Sequence, residues 1–135
     1  IMIIDASNKE IINTKAVYYH DDTLTGLFFD RMEKTLRLTI SKFETERCTE
    51  IIFRDVMGFS ISACDFWGAD ERILDFEYTE TEDERLLPKL FKKKARYASH
   101  PMEDKEAYFE TLMTFISGDE LAVACKQIIL ERSEL

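Results

Sequence analysis

The feature that most constrains this chain is the strict alternation at residues 35–41, Thr-Leu-Arg-Leu-Thr-Ile-Ser, with Leu36, Leu38 and Ile40 on one face and Arg37 and Thr39 on the other. Side chains of a strand alternate with a period of two, so the pattern specifies a half-buried strand with one face on a core. Such a strand cannot stand alone: its backbone needs neighbours and its apolar face needs a second layer. Residues 16–20 and 25–30, rich in Val, Tyr, Thr and Phe, are expected to supply two antiparallel neighbours, with 31–34 as a polar turn. Further on, residues 50–54 and 56–62 carry Ile51, Ile52, Phe53, Val56, Phe59 and Ile61, and Gly58 is expected to mark a bulge in one bent strand. Alternation returns at 73–78, so the first 80 residues read as a meander.

Beyond Thr79 the period changes. Leu86, Leu87, Leu90, Phe91 and Ala95 recur at spacings of three and four, which predicts a helix near residues 82–97, capped by Thr81 or Asp83. Pro88 is compatible with its first turn. Residues 99–105, with His100-Pro101, read as a loop. The last 30 residues admit two readings. Tyr108, Leu112, Phe115 and Ile116 with Leu121, Cys125, Ile128 and Ile129 fit two amphipathic helices. Alternatively, Phe109, Thr111, Met113 and Phe115 oppose Leu121, Val123, Cys125 and Gln127 in a hairpin turning at Ser117-Gly118-Asp119. The hairpin is preferred because it completes a sheet whose edges otherwise need cover. The expected fold is α+β: a single β-rich domain over residues 1–135, mainly an antiparallel sheet or small sandwich, with one helix packed across it.

Charge narrows the partners. The 135 residues include 27 Asp or Glu and 18 Lys or Arg, a formal net charge of −9. Phosphate backbones must be neutralised by cations, so the balance argues against nucleic acid and favours a basic protein. The charge is also patterned. Residues 1–84 hold 19 acidic and 9 basic groups, whereas residues 85–105 hold 2 acidic and 7 basic, which places the positive charge in the helix region. A solvated helix face pairing with carboxylates of its own domain is the simplest use of those cations, ahead of an anionic membrane.

Cys48, Cys64 and Cys125 form no C-x-x-C pair and make an odd total, which points to reduced thiols and a cytoplasmic setting. The apolar run Ile1-Met2-Ile3-Ile4 is far short of a signal-peptide core or membrane span. Catalytic motifs are scarce. No G-x-S-x-G elbow and no phosphate-cradling glycine loop is present, and no cofactor is implied. The one cluster that suggests a metal is His20-Asp21-Asp22, since a neutral imidazole beside carboxylates can bind a divalent cation, as in a metal-dependent hydrolase. Against that stands their ordinary use as strand-end and turn residues.

The segment Asp65-Phe66-Trp67-Gly68-Ala69-Asp70-Glu71, followed by Asp75, Glu77, Glu80, Glu82, Asp83 and Glu84, joins the only tryptophan to a dense carboxylate strip. Phe66 and Trp67 are candidate anchors and Asp70, Glu71, Asp75, Glu77, Glu80 and Glu82 candidate steering charges of a protein interface. The plain alternative is a core tryptophan beside a tight glycine turn.

Tyr18-Tyr19-His20-Asp21-Asp22, Phe53-Arg54-Asp55-Val56, Asp65-Phe66-Trp67-Gly68 and Ile73-Leu74-Asp75, with Ser117-Gly118-Asp119-Glu120-Leu121 through Glu131, make the chain resemble small acidic bacterial proteins of β-rich fold. Many of these are immunity partners of secreted toxins, including those of contact-dependent growth inhibition. The resemblance covers most of the chain and carries no catalytic residue. It implies a closing hairpin and a non-enzymatic protein that neutralises a basic toxin domain, such as a nuclease, by direct contact. A homo-oligomeric structural or regulatory module is the third expectation.

Overall fold

The computed structural model describes residues 1–62, 72–97 and 104–131. Among the described residues, nine strands form two antiparallel sheets. The five-stranded sheet has the order β1 (Met2–Asp5), β9 (Gln127–Leu130), β4 (Cys48–Arg54), β3 (Thr35–Ser41), β2 (Thr23–Asp30). The four-stranded sheet has the order β5 (Gly58–Ile61), β8 (Glu120–Cys125), β7 (Phe109–Phe115), β6 (Ile73–Tyr78). With the helix α1 (Leu86–Tyr97), this is an α+β fold.

The alternating strand behaves as its pattern dictates. Leu36, Leu38 and Ile40 are fully buried, and they share one apolar cluster with Ile51, Phe53 and Ile128 of their own sheet and Phe76, Met113 and Val123 of the other. Phe53 and Phe76 meet edge to face across the two layers, with centroids 6.3 Å apart. The preferred β7–β8 hairpin forms, but its register is shifted by two residues: Phe109 lies opposite Cys125, Thr111 opposite Val123 and Met113 opposite Leu121, while Gln127, expected in the hairpin, begins β9 in the other sheet. Gly118 turns it with φ +93°, a conformation that costs glycine nothing.

Three expectations about the first 80 residues fail. Residues 16–20 form no strand. Val17 and Tyr19 are buried in the core, but the backbone turns, with the Val17 amide on the Thr14 carbonyl at 3.2 Å and the Asp22 amide on the Tyr19 carbonyl at 3.0 Å. Their β-favouring side chains are satisfied by burial instead of by pairing. Residues 50–62 are likewise not one strand bent at Gly58. The break lies at Asp55, whose φ is +53°, and β4 and β5 belong to different sheets. The chain crosses again at Lys126, between β8 and β9. These two crossings lie side by side: the Lys126 amide donates to the Arg54 carbonyl at 3.2 Å and the Met57 amide to the Ala124 carbonyl at 2.9 Å. A paired strand therefore turns the corner between layers, as in orthogonal packings. Among the described residues of the first 80, the meander is limited to β2, β3 and β4, because β1 pairs with β9, β5 with β8 and β6 with β7.

The helix begins later than its periodicity predicts, at Leu86, after a short 3-10 turn over Thr81–Asp83. Neither Thr81 nor Asp83 caps it. Instead, the carboxylate of Glu110 on β7 accepts the Arg85, Leu86 and Leu87 amides at 3.1, 2.8 and 2.7 Å. Because Pro88 has no N–H, that one carboxylate leaves few donors of the first turn unmet. Gly58 serves the helix, not a bulge. A Cβ there would lie 2.9 Å from Leu90, so its absence lets α1 settle on the outer face of the four-stranded sheet. Among the described residues, no helix is long and apolar enough to cross a membrane.

Candidate interaction surface

The acidic strip lands on a sheet edge. Strand β6 ends the four-stranded sheet, with Ile73, Phe76 and Tyr78 turned into the core and Leu74, Asp75 and Glu77 exposed. Glu80, Glu82 and Asp83 continue the exposed strip beyond the strand, and Glu84 is half-buried. Phe66, Trp67, Asp70 and Glu71, together with Cys64 and His100, lie outside the described residues.

Folding adds charges to this edge that sequence order does not suggest. The 3-10 turn Lys9–Asn13 packs against β6 and brings Glu10 into the field of the Tyr78 hydroxyl. Tyr78 donates to Glu80 Oε1 at 2.9 Å, and the Lys9 ammonium sits 5.7 Å from the Tyr78 ring centroid. The Glu80 hydrogen bond, then burial and neighbouring carboxylates, raise the Tyr78 pKa. Partial burial and the Asp75 charge hold the Glu77 carboxyl above its ordinary value. Glu84 is raised by burial and Glu110, with Lys9 opposing. The edge thus carries an excess of negative charge that repels its own members.

His20, Asp21 and Asp22 are drawn to the same edge, but not around a common point. Asp22 is buried, pairs with the Lys42 ammonium and accepts the Phe43 amide at 2.8 Å. Asp21, at φ +69°, lies 3.6 Å from His20 Nε2 and 4.0 Å from Arg72 Nη1. His20 Nδ1 is 3.0 Å from the Leu74 carbonyl oxygen, an acceptor only, so that nitrogen carries the proton. Among the described residues, no three His, Cys, Asp or Glu side chains converge as a metal site. Here the cluster performs structural work. The Asp21 amide donates to the Ile73 carbonyl at 2.8 Å and the Ile73 amide to the Asp22 carbonyl at 2.7 Å, fastening β6 beside β2. At the other end of β6, the Tyr78 amide donates to Asn13 Oδ1 at 2.9 Å. Both ends of the edge are therefore occupied and its middle carries Asp75 and Glu77, which discourages another strand from adding there.

The opposite charge is gathered on α1. Lys89, Lys92, Lys93, Lys94 and Arg96 are all exposed on α1, and among the described residues none of them forms an ion pair. The expected pairing of this helix with its own domain is confined to Arg85, just before it, whose guanidinium lies 3.2 Å from Glu120. Of the thiols, Cys48 is exposed, and burial pushes the Cys125 thiol far above its ordinary value, so it stays protonated and inert.

No family model, no curated protein and no solved structure matches this chain.

Proposed function

We propose that this protein is a non-enzymatic binding protein, most concretely an immunity protein that neutralises a basic toxin domain by direct contact. The observation that carries the reading is the concentration of Asp75, Glu77, Glu80 and Glu82, all exposed, along one edge of the four-stranded sheet. A nuclease must present positive charge to its substrate, and an acidic edge complements that surface and accelerates encounter. Phe66 and Trp67, which precede β6 in the chain, are the proposed anchors, with Asp70 and Glu71 beside them. The capped ends of β6 favour docking by side chains over strand addition.

The test asks first whether a secreted protein with a basic C-terminal domain is encoded next to this protein's gene, and takes that domain as the partner. Its association rate is measured by stopped flow with wild type and with the Asp75→Lys/Glu77→Lys double variant, at low and physiological salt. Steering predicts a roughly tenfold slower association for the variant and a flatter salt dependence. Equal rates at both salts, or no complex with wild type, would overturn the reading.

A further inference from the structure

The outer face of the five-stranded sheet carries a pattern that neither its own core nor the acidic edge requires. One row of directly opposed residues crosses all five strands: Phe28 opposite Arg37, Arg37 opposite Ile52, Ile52 opposite Ile129 and Ile129 opposite Ile3. Four of the five are apolar. Phe28 is 64% exposed and Ile3 53% exposed, with Ile52 and Ile129 half-buried between their neighbours. A sheet face turned to water normally alternates to polar residues there. Among the described residues no element covers this face, because α1 packs against β5, β7 and β8 and the Lys9–Asn13 turn against β1 and β6. Beside the row, a groove of about 530 Å³ is lined by Phe28, Asp30, Thr35, Arg37, Ile52 and Arg54.

The charges flanking the row identify its occupant. On β4, Arg54 lies two residues to one side of Ile52 and Glu50 two residues to the other, and both point to the same face as Ile52. A two-fold axis laid along the apolar row keeps each position along the row and exchanges its two flanks. Each apolar residue then meets its own copy, as does Arg37, whose charge is held by Glu50 of its own chain, and Arg54 of one molecule lies over Glu50 of the other, twice. Glu50 already holds Arg37 Nη1 at 3.4 Å through one oxygen, Oε2, and keeps Oε1 for a second partner. A face about 24 Å across, from five strands roughly 4.8 Å apart, suits a modest interface. We infer that the outer face of the five-stranded sheet is an isologous dimer interface between two copies of this chain. This surface is distinct from the acidic edge, so the two readings stand or fall separately.

Sedimentation velocity of the full chain between about 1 and 300 μM tests it, with a dimer forming within that range. Glu50→Lys and Arg54→Glu each place like charges over one another at both contacts, so each variant alone dimerises at least tenfold more weakly. An equimolar mixture of the two variants restores opposite charges at both contacts and regains the wild-type dimer. Ile52→Lys abolishes association, with circular dichroism confirming that the variant is folded. A wild type that stays monomeric throughout the range overturns the inference and leaves the face to a different partner. A mixture no tighter than its components, or a folded Ile52→Lys variant that still dimerises, overturns it equally.

Discussion

Glu110 offers the sharpest test of how this fold is held together, because one buried carboxylate serves both the four-stranded sheet and the helix. Its residue is 2% exposed, and the hydrogen bonds recorded for its two oxygens come from three backbone amides at the start of α1. Burying an ion of this size costs several kcal/mol, offset here by charge-assisted bonds and by the positive end of the helix dipole. Glu110→Ala removes both sides of that balance. Arg85 is exposed and Leu86 half-buried, so their amides can recover water, whereas the amide of buried Leu87 is stranded. Losing three bonds to a charged acceptor, softened by rehydration of two donors and by relief of the buried charge, gives a net destabilisation of about 3 kcal/mol. Glu110→Gln keeps a carbonyl oxygen for Leu86 and Leu87 and loses the charge, at about half that cost. Urea unfolding measures both, and hydrogen exchange at Leu86 and Leu87 localises the effect. If Glu110→Ala changes stability by less than about 1 kcal/mol, or stabilises the protein, then burial cost outweighs capping and the account is wrong.

Two further outcomes follow from the same bookkeeping of buried and crowded groups. Thr111 Oγ1 is buried with no hydrogen-bond partner, between Tyr78 and Val123 in the sheet register, so Thr111→Val keeps the shape, removes the unmet hydroxyl and should raise stability by about 1 kcal/mol, read from the urea midpoint. Glu77 and Glu84 both have raised pKa values, so the folded state binds protons more tightly than the unfolded one. Their contribution grows as pH falls through the raised values toward the ordinary 4.5 and is lost as pH rises again; Asp5 and Asp104, held below 3.8, act oppositely only at lower pH. Thermal melts should therefore show a gain in stability as pH falls from about 7 toward 4.5 that Glu77→Gln diminishes, and a profile unchanged by that substitution would contradict the crowded-edge description.

Local pattern carried much of the architecture. The strands at 35–41 and 73–78 fall where alternation puts them, the helix runs through Tyr97, and the β7–β8 hairpin forms, though two residues out of the register that opposing Gln127 to Phe109 implies. What escaped the pattern depends on distant partners. The short runs that become β1 and β9 are strands because they pair with one another and with β4, and four residues hold too little periodicity to announce that. The break at Asp55 belongs to a corner shared with Lys126, some 70 residues away in the chain, and its left-handed backbone leaves no mark in composition. Glu110 resembles any surface glutamate in a strand pattern until α1 is placed above it. For the candidate surface, Asp75, Glu77, Glu80 and Glu82 do form an exposed strip, yet Glu10 joins it only through tertiary packing. His20, Asp21 and Asp22 were a candidate metal cluster by adjacency alone; adjacency in a turn sent Asp22 inward to Lys42 and Asp21 outward.

The position of β9 between β1 and β4 sets the order in which the molecule can be made. A chain emerging from synthesis can assemble β2, β3 and β4 early, but β1 has no partner until Gln127–Leu130 arrives more than 120 residues later. The same late segment continues directly from β8, so one stretch of backbone completes the first sheet as it leaves the second. Until then Ile4 and Ile51 lack the neighbour that covers them, and the nascent protein presents open strand edges on both sides of the gap. Because β9 supplies the neighbour of both β1 and β4, the five-stranded sheet stays incomplete until that segment arrives, and chains lacking it are the species most exposed to aggregation.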